Sequence, residues 1–167
     1  MLFKNKSIFS LGTEFAFSPL MAANEEKFLR SEYTILIADR NSHVREFLKR
    51  EMTEEGFRVL QAEKGMEVIK MVYQDFPLDL VILDPDLPDM EETILLKKIG
   101  ARIPPLPVII HAFDSEEINY FFYLKQAAFV KKGGRSIEKL KQVVLEILEA
   151  KKMILNKSGG NYENSAS

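Results

Sequence analysis

Leu78-Asp79-Leu80-Val81-Ile82-Leu83-Asp84-Pro85-Asp86-Leu87-Pro88-Asp89-Met90 is the stretch whose reading decides the fold. Five of its first six residues are apolar, with Leu80 to Leu83 unbroken, the pattern of a β-strand covered on both faces. Asp84 stands at the end of that run, and Pro85 and Pro88 then force a loop. A strand buried on both faces needs helices on both sides of its sheet, so the flanking sequence has to supply them.

Upstream, Tyr33 to Ala38 is a second short β-rich apolar run. Ser42 is placed to cap a helix in which Val44, Phe47, Leu48 and Met52 recur at helical spacing, and Gly56 ends it. A strand over Arg58–Ala62 follows, then a helix from Gly65 to Gln74 with Val68, Ile69, Met71 and Val72 as its apolar stripe. Downstream, Ile94, Leu95 and Leu96 mark a helix from Glu91 to Lys98, which the prolines between Ile103 and Pro107 stop. Val108 to His111 is a fourth strand. Ser115 and two glutamates predict a helix start, running to Ala127, because acids suit the positive helix end. Ala128 to Lys131 reads as a fifth strand, and Ser136 as the cap of a last helix to Leu155.

Five β-α repeats of this length predict an α/β fold: a five-stranded parallel sheet, doubly wound, with helices on both faces. The domain is expected over residues 32–155. Residues 1–31 show no sustained periodicity and read as a flexible N-terminal extension, with a helical stretch near Glu25 to Arg30. Residues 156–167 are small and polar and read as a disordered tail.

Composition narrows the function. The 23 basic and 25 acidic side chains nearly balance, which gives no broad basic footprint for nucleic acid and no polybasic membrane patch. There is no cysteine, so disulfides, thiolate nucleophiles and cysteine-ligated zinc are excluded. His43 and His111 are the only histidines, too few for a multi-histidine metal site. Lys4 and Lys6 precede a moderately apolar stretch in the order of a secretory signal, but Gly12 and Glu14 interrupt it and Pro19 follows. A cytoplasmic protein is expected.

In an open α/β sheet, ligands bind outside the carboxyl ends of the strands, at the switch in strand order. Asp39, Asp84, His111 with Ala112, and Lys132 stand there in this sequence. Two acids facing one lysine suit a divalent cation and a phosphoryl group: carboxylates and water hold magnesium, and an ammonium offsets charge on transferred oxygens. Strand alternation sends Lys131 and Lys132 to opposite faces.

Four segments carry a specific resemblance. Ile35-Leu-Ile-Ala-Asp39-Arg40-Asn41, Asp79 through Met90, Pro107-Val-Ile-Ile-His-Ala, and Ala128-Phe129-Val-Lys-Lys132-Gly133 are similar, in order and spacing, to the response-regulator receiver domain of two-component signalling. The resemblance implies the flavodoxin-like receiver fold and a signalling module rather than an enzyme. It makes Asp84 the phosphoacceptor, served by a histidine kinase or phosphotransfer protein, with output through a downstream protein partner. Asp39, Asp84 and Asp86 would hold Mg2+, Lys132 would contact the phosphoryl oxygens, and Ala112 and Phe129 take the switch positions. The chain is expected to act as a stand-alone receiver in a phosphorelay, and a homodimer is compatible with it.

Three places depart from that family's pattern. Arg40 stands where a second acid normally ligates the metal, which weakens magnesium binding; it could pair with Asp84 or turn to solvent. Ala112 lacks the hydroxyl usual at the end of the fourth strand. Glu92 and Gly133 replace a common glycine and a common proline. Asp86 offers a carboxylate in compensation. These departures support an alternative, a phosphorylation-independent pseudo-receiver acting as a binding or scaffolding module. A haloacid-dehalogenase-type phosphatase, suggested by Asp84-Pro-Asp86, fits poorly because Pro88 breaks its motif. Tyr120 to Tyr123 is the densest aromatic cluster and cannot be buried on one helix face, so at least one ring is expected exposed, as a docking surface or as packing for the tail.

Overall fold

In the computed structural model, which describes residues 19–113 and 120–159, the apolar runs become five parallel strands. In chain order the elements are α1 (Pro19–Arg30), β1 (Thr34–Ala38), α2 (Ser42–Glu54), β2 (Arg58–Ala62), α3 (Gly65–Val72), β3 (Leu80–Leu83), α4 (Glu92–Gly100), β4 (Val108–Ala112), α5 (Tyr120–Tyr123), β5 (Ala127–Lys131) and α6 (Ser136–Gly159). The sheet order is β2-β1-β3-β4-β5. Order reverses between β1 and β3, and the register sets Ala38 beside Leu83, so the residues after them, Asp39 and Asp84, leave the sheet side by side.

Alternation along the strands builds two cores. Ile35, Ile37, Leu80, Ile82 and Ile109 point to one face, where Leu48 and Met52 of α2 and Leu140, Val144 and Leu148 of α6 cover them. Leu36, Ala38, Val81, Leu83, Val108 and Ile110 point to the other, under Val68 and Val72 of α3 and Leu95, Leu96 and Ile99 of α4. Each side chain removed from water contributes about 1.5–3 kcal/mol, which is why the strands read as unbroken apolar runs.

Several element ends differ from the sequence reading. Asn41, not Ser42, caps α2: its side-chain oxygen accepts from the amides of His43 at 3.0 Å and Val44 at 3.4 Å. The helix before β5 ends at Tyr123, and Ala127 already pairs with Val108 as strand; the proposed Ser115 cap lies outside the described residues. The last helix runs to Gly159 rather than Leu155, since nothing breaks it earlier. No helix among the described residues is long and apolar enough to cross a membrane.

The segment read as a flexible extension carries a twelve-residue helix, α1. Its position is fixed by tertiary contact, not by its own pattern. Arg30 donates to Glu55 at 2.9 Å, and Lys141 of α6 reaches Glu55 at 3.3 Å and Glu51 at 2.9 Å, so one chain of charges ties α1, α2 and α6. Gly56 makes the approach possible. Its φ of 101° suits glycine, and a Cβ there would lie 2.7 Å from the Lys27 carbonyl oxygen. Gly56→Ala should therefore lower the unfolding free energy by about 1–3 kcal/mol. The check is a urea melt: a lower midpoint at unchanged slope is expected, and an unchanged midpoint would contradict the close packing.

Candidate functional site

At the carboxyl end of the sheet, three strands deliver one charged group each. Asp39 follows β1, Asp84 follows β3, and Lys132 follows β5. Main-chain hydrogen bonds hold all three: the Asp39 amide donates to Ala62 at 3.2 Å, the Asp84 amide to Ala38 at 2.8 Å, and the Lys132 amide to Ala112 at 2.8 Å. The Lys132 ammonium donates to Asp39 Oδ2 at 2.7 Å and to Asp84 Oδ2, and all three side chains are largely buried. Burial alone would lower the lysine pKa, but the two carboxylates outweigh it and hold the ammonium above its ordinary value.

The carboxylates are oriented from their other sides as well. Asp39 Oδ1 accepts the Asn41 amide at 2.8 Å, and Arg45 donates to the Asp39 carbonyl at 2.7 Å. Asp84 Oδ1 accepts the Asp86 amide at 3.0 Å, an Asx turn that Pro85 helps to set. The cleft above them, about 330 Å³, is lined by Asp39, Arg40, Asp84, Asp86, Glu92, Ala112, Phe113, Tyr120 and Lys132 among others.

Arg40 neither reaches Asp84 nor turns away from the protein. It pairs with Asp86 at 3.1 Å across the mouth of the cleft, with side chains 61% and 68% exposed. A rim pair so exposed is worth about 0–1 kcal/mol and opens easily. The Asp86 carboxylate is thus held by Arg40 at the surface, where it does not complete a ligand set with Asp39 and Asp84. Among the described residues, no group of three or more acidic or histidine side chains is placed to hold a metal ion. The donor chemistry still fits a hard cation: two buried carboxylates, main-chain oxygens, and four acids against two bases around the cleft.

Ala112 ends β4 with no polar side-chain atom beside Asp84, and Phe129 on β5 is half-buried. His111 is buried on β4, with Nε2 3.4 Å from Ser136 Oγ and no partner for Nδ1. Burial and the nearby Lys132 charge push its pKa down to about 4, against the pull of Asp39 and Asp84.

Three residues at the site were not assigned to it from the sequence. Phe113 lays its ring 5.4 Å from the Lys132 ammonium, a cation–π contact at the cleft wall. Asp89 crosses to the start of α3, accepting the amides of Gly65 at 2.5 Å and Met66 at 3.1 Å, and so pins the loop after Asp84. Tyr120 lines the cleft and stacks on Phe129. The Asp89 position had a local signal, an acid near a proline-bounded loop, and Tyr120 stood in the aromatic cluster; that Tyr120 and Phe113 meet at the cleft depends on contacts between distant parts of the chain.

Fold and site together define a receiver domain of two-component signalling. The family model of the response regulator receiver domain matches residues 35–144, and the chain belongs to that family. It is 37% identical over 76 residues to response regulator RR06 of Streptococcus pneumoniae, covering 46% of this chain and 34% of that protein. It is 30% identical over 89 residues to the CAI-1 autoinducer sensor kinase/phosphatase CqsS of Vibrio cholerae, covering 52% of this chain and 13% of the relative. The chain thus spans about a third or less of the length of these curated relatives. Among solved structures, response regulator TrrA of Thermotoga maritima, in complex with Mg2+ and BeF, aligns with a TM-score of 0.61 at 26% identity, covering 69% of this chain and 98% of that one. Chemotaxis response regulator CheY4 of Vibrio cholerae aligns equally well, TM-score 0.61 at 17% identity over 69% and 98% of the chains, and supports the fold. Receiver domains of this family pair with histidine kinases and bind Mg2+.

His111 makes the pH dependence specific. Its folded pKa of about 4 lies below the ordinary 6.5, so between these values the unfolded chain binds a proton that the folded chain refuses. Its contribution is therefore full above pH 6.5 and lost as pH falls through 4, by on the order of 3 kcal/mol. His111→Leu should flatten the stability–pH curve in that window, measured by urea melts at stepped pH. A variant curve parallel to wild type there would assign the acid lability to other groups.

Proposed function

We propose that this receiver accepts a phosphoryl group on Asp84 from a histidine kinase or phosphotransfer protein, and signals through contact with a partner protein. The observation that carries the reading is the triad itself: Asp84, Asp39 and Lys132 meet in one cleft at the switch in strand order. An Asp84 carboxylate oxygen forms the new bond to phosphorus, and the bond from phosphorus to the donor nitrogen breaks with its electron pair leaving on the donor. Lys132 stays charged throughout and moves from the carboxylate to the phosphoryl oxygens. Asp39, Asp84 and the Asp86 main-chain carbonyl would hold Mg2+, which when bound offsets charge on the transferred group. Arg40 in place of an acid makes that binding weak.

A second reading has its own support. Lys132 already bridges both carboxylates, and the Arg40–Asp86 pair already bridges the loops after β1 and β3. A pocket stabilised in that way works equally as a phosphate-independent binding module.

The experiment is incubation of the full chain with Mg2+ and a small-molecule phosphodonor, read by intact mass beside Asp84→Asn. The expected result is a base-labile phosphoryl adduct in the wild type alone, and tighter Mg2+ dependence with Arg40→Asp. Failure of both wild type and Arg40→Asp to take up the adduct at high Mg2+ would overturn the phosphoacceptor reading in favour of the second.

A further inference from the structure

Ala112 removes a hydroxyl from the phosphoacceptor cleft, and another hydroxyl-bearing side chain enters the same cleft from a different element. Tyr120, the first residue of α5, is 6% exposed and lines the wall shared by Asp84, Ala112 and Lys132. Its ring lies parallel to that of Phe129, 9° between planes and 6.2 Å between centroids. Tyr120 therefore touches the cleft and the β5 aromatic at once. Ala112, with a single methyl, cannot link them by hydrogen bonding.

What lies beyond Tyr120 gives the link somewhere to go. The α5 backbone sits hard against α4: a Cβ on Gly100 would lie 1.9 Å from the Tyr123 carbonyl oxygen. Tyr123 meets Phe122 edge to face at 5.2 Å, and Phe122 is 82% exposed. A displacement of Tyr120 in so closely backed a helix is passed to its neighbours, because packed side chains have few alternative arrangements.

We propose that Tyr120 couples the state of Asp84 to Phe129 and to the exposed aromatic surface of α5, its hydroxyl donating to a phosphoryl oxygen on Asp84. The inference rests on the phosphoacceptor reading above. A phosphoryl group brings close to two negative charges and three strong acceptors into a cleft where Lys132 already serves two carboxylates. A buried phenol beside those acceptors turns its donor towards them. Because its ring is stacked on Phe129, that movement draws Phe129 with it.

The test uses the full isotope-labelled chain with Mg2+ and the same phosphodonor, with adduct formation followed by intact mass. Nuclear magnetic resonance then follows the Tyr120 ring Cζ resonance and the amides of Phe129 and Phe122. In the wild type all three signals should shift as the adduct forms. In Tyr120→Phe, compared with the wild type at matched adduct occupancy, the Phe129 and Phe122 shifts should be lost. Adding Ala112→Thr to Tyr120→Phe should restore them, a rescue that a merely structural role for Tyr120 would not give. Wild-type-sized shifts in Tyr120→Phe, or a silent Tyr120 Cζ in the phosphorylated wild type, would overturn the coupling alone. No adduct in either the wild type or Arg40→Asp at high Mg2+ would instead overturn the phosphoacceptor reading and the coupling with it.

Discussion

The Lys132 ammonium between Asp39 and Asp84 is the interaction on which the upper half of the domain depends. Two carboxylates leave adjacent central strands side by side, shielded from water, and repel one another unless a cation separates them. Lys132 comes from β5, an edge strand, and reaches past the end of β4 to do this. Removing one member of such a buried cluster generally costs on the order of 3–5 kcal/mol, because it strands the charges left behind. Under the proposed phosphoacceptor role, charge added at Asp84 would redistribute what the lysine holds.

Around that cluster, the departures from the family's usual residues change the balance of charge without abolishing it. Arg40 puts a cation where an acid is usual, yet it is spent on Asp86 at the rim rather than on the buried pair. The cleft thus keeps more acids than bases and remains suited to a cation. Ala112 and Phe113 make the β4 side of the cleft apolar, and Tyr120 returns a hydroxyl from α5. The chemistry is shared out over different elements.

The opposite end of the domain is stabilised in another way. Lys151 of α6 donates to Asp79 at 2.6 Å, whose other oxygen accepts the Thr34 amide at 2.9 Å, so α6 is fastened below β1 and β3. Beside it, α1 docks through Arg30–Glu55 and the bare backbone of Gly56. These contacts lie far from Asp84, which leaves the carboxyl end of the sheet free to carry the functional groups.

The sequence by itself determined the sheet, its parallel sense, the doubly wound layers and the convergence of Asp39, Asp84 and Lys132 at one end of it. Strands buried on both faces must be apolar throughout, and residues directly after strands must converge at one end. Both constraints leave a local trace. What Arg40 bonds to, where Tyr120 and Phe113 lie, and why α1 packs at all were decided only by the tertiary structure. Arg40 had two partners and solvent within reach, and spacing cannot choose among them. Tyr120 and Phe113 reach the cleft from α5 and from the end of β4, and α1 is held by a missing Cβ and an ion pair. Contacts between residues distant in the chain leave no periodicity in it.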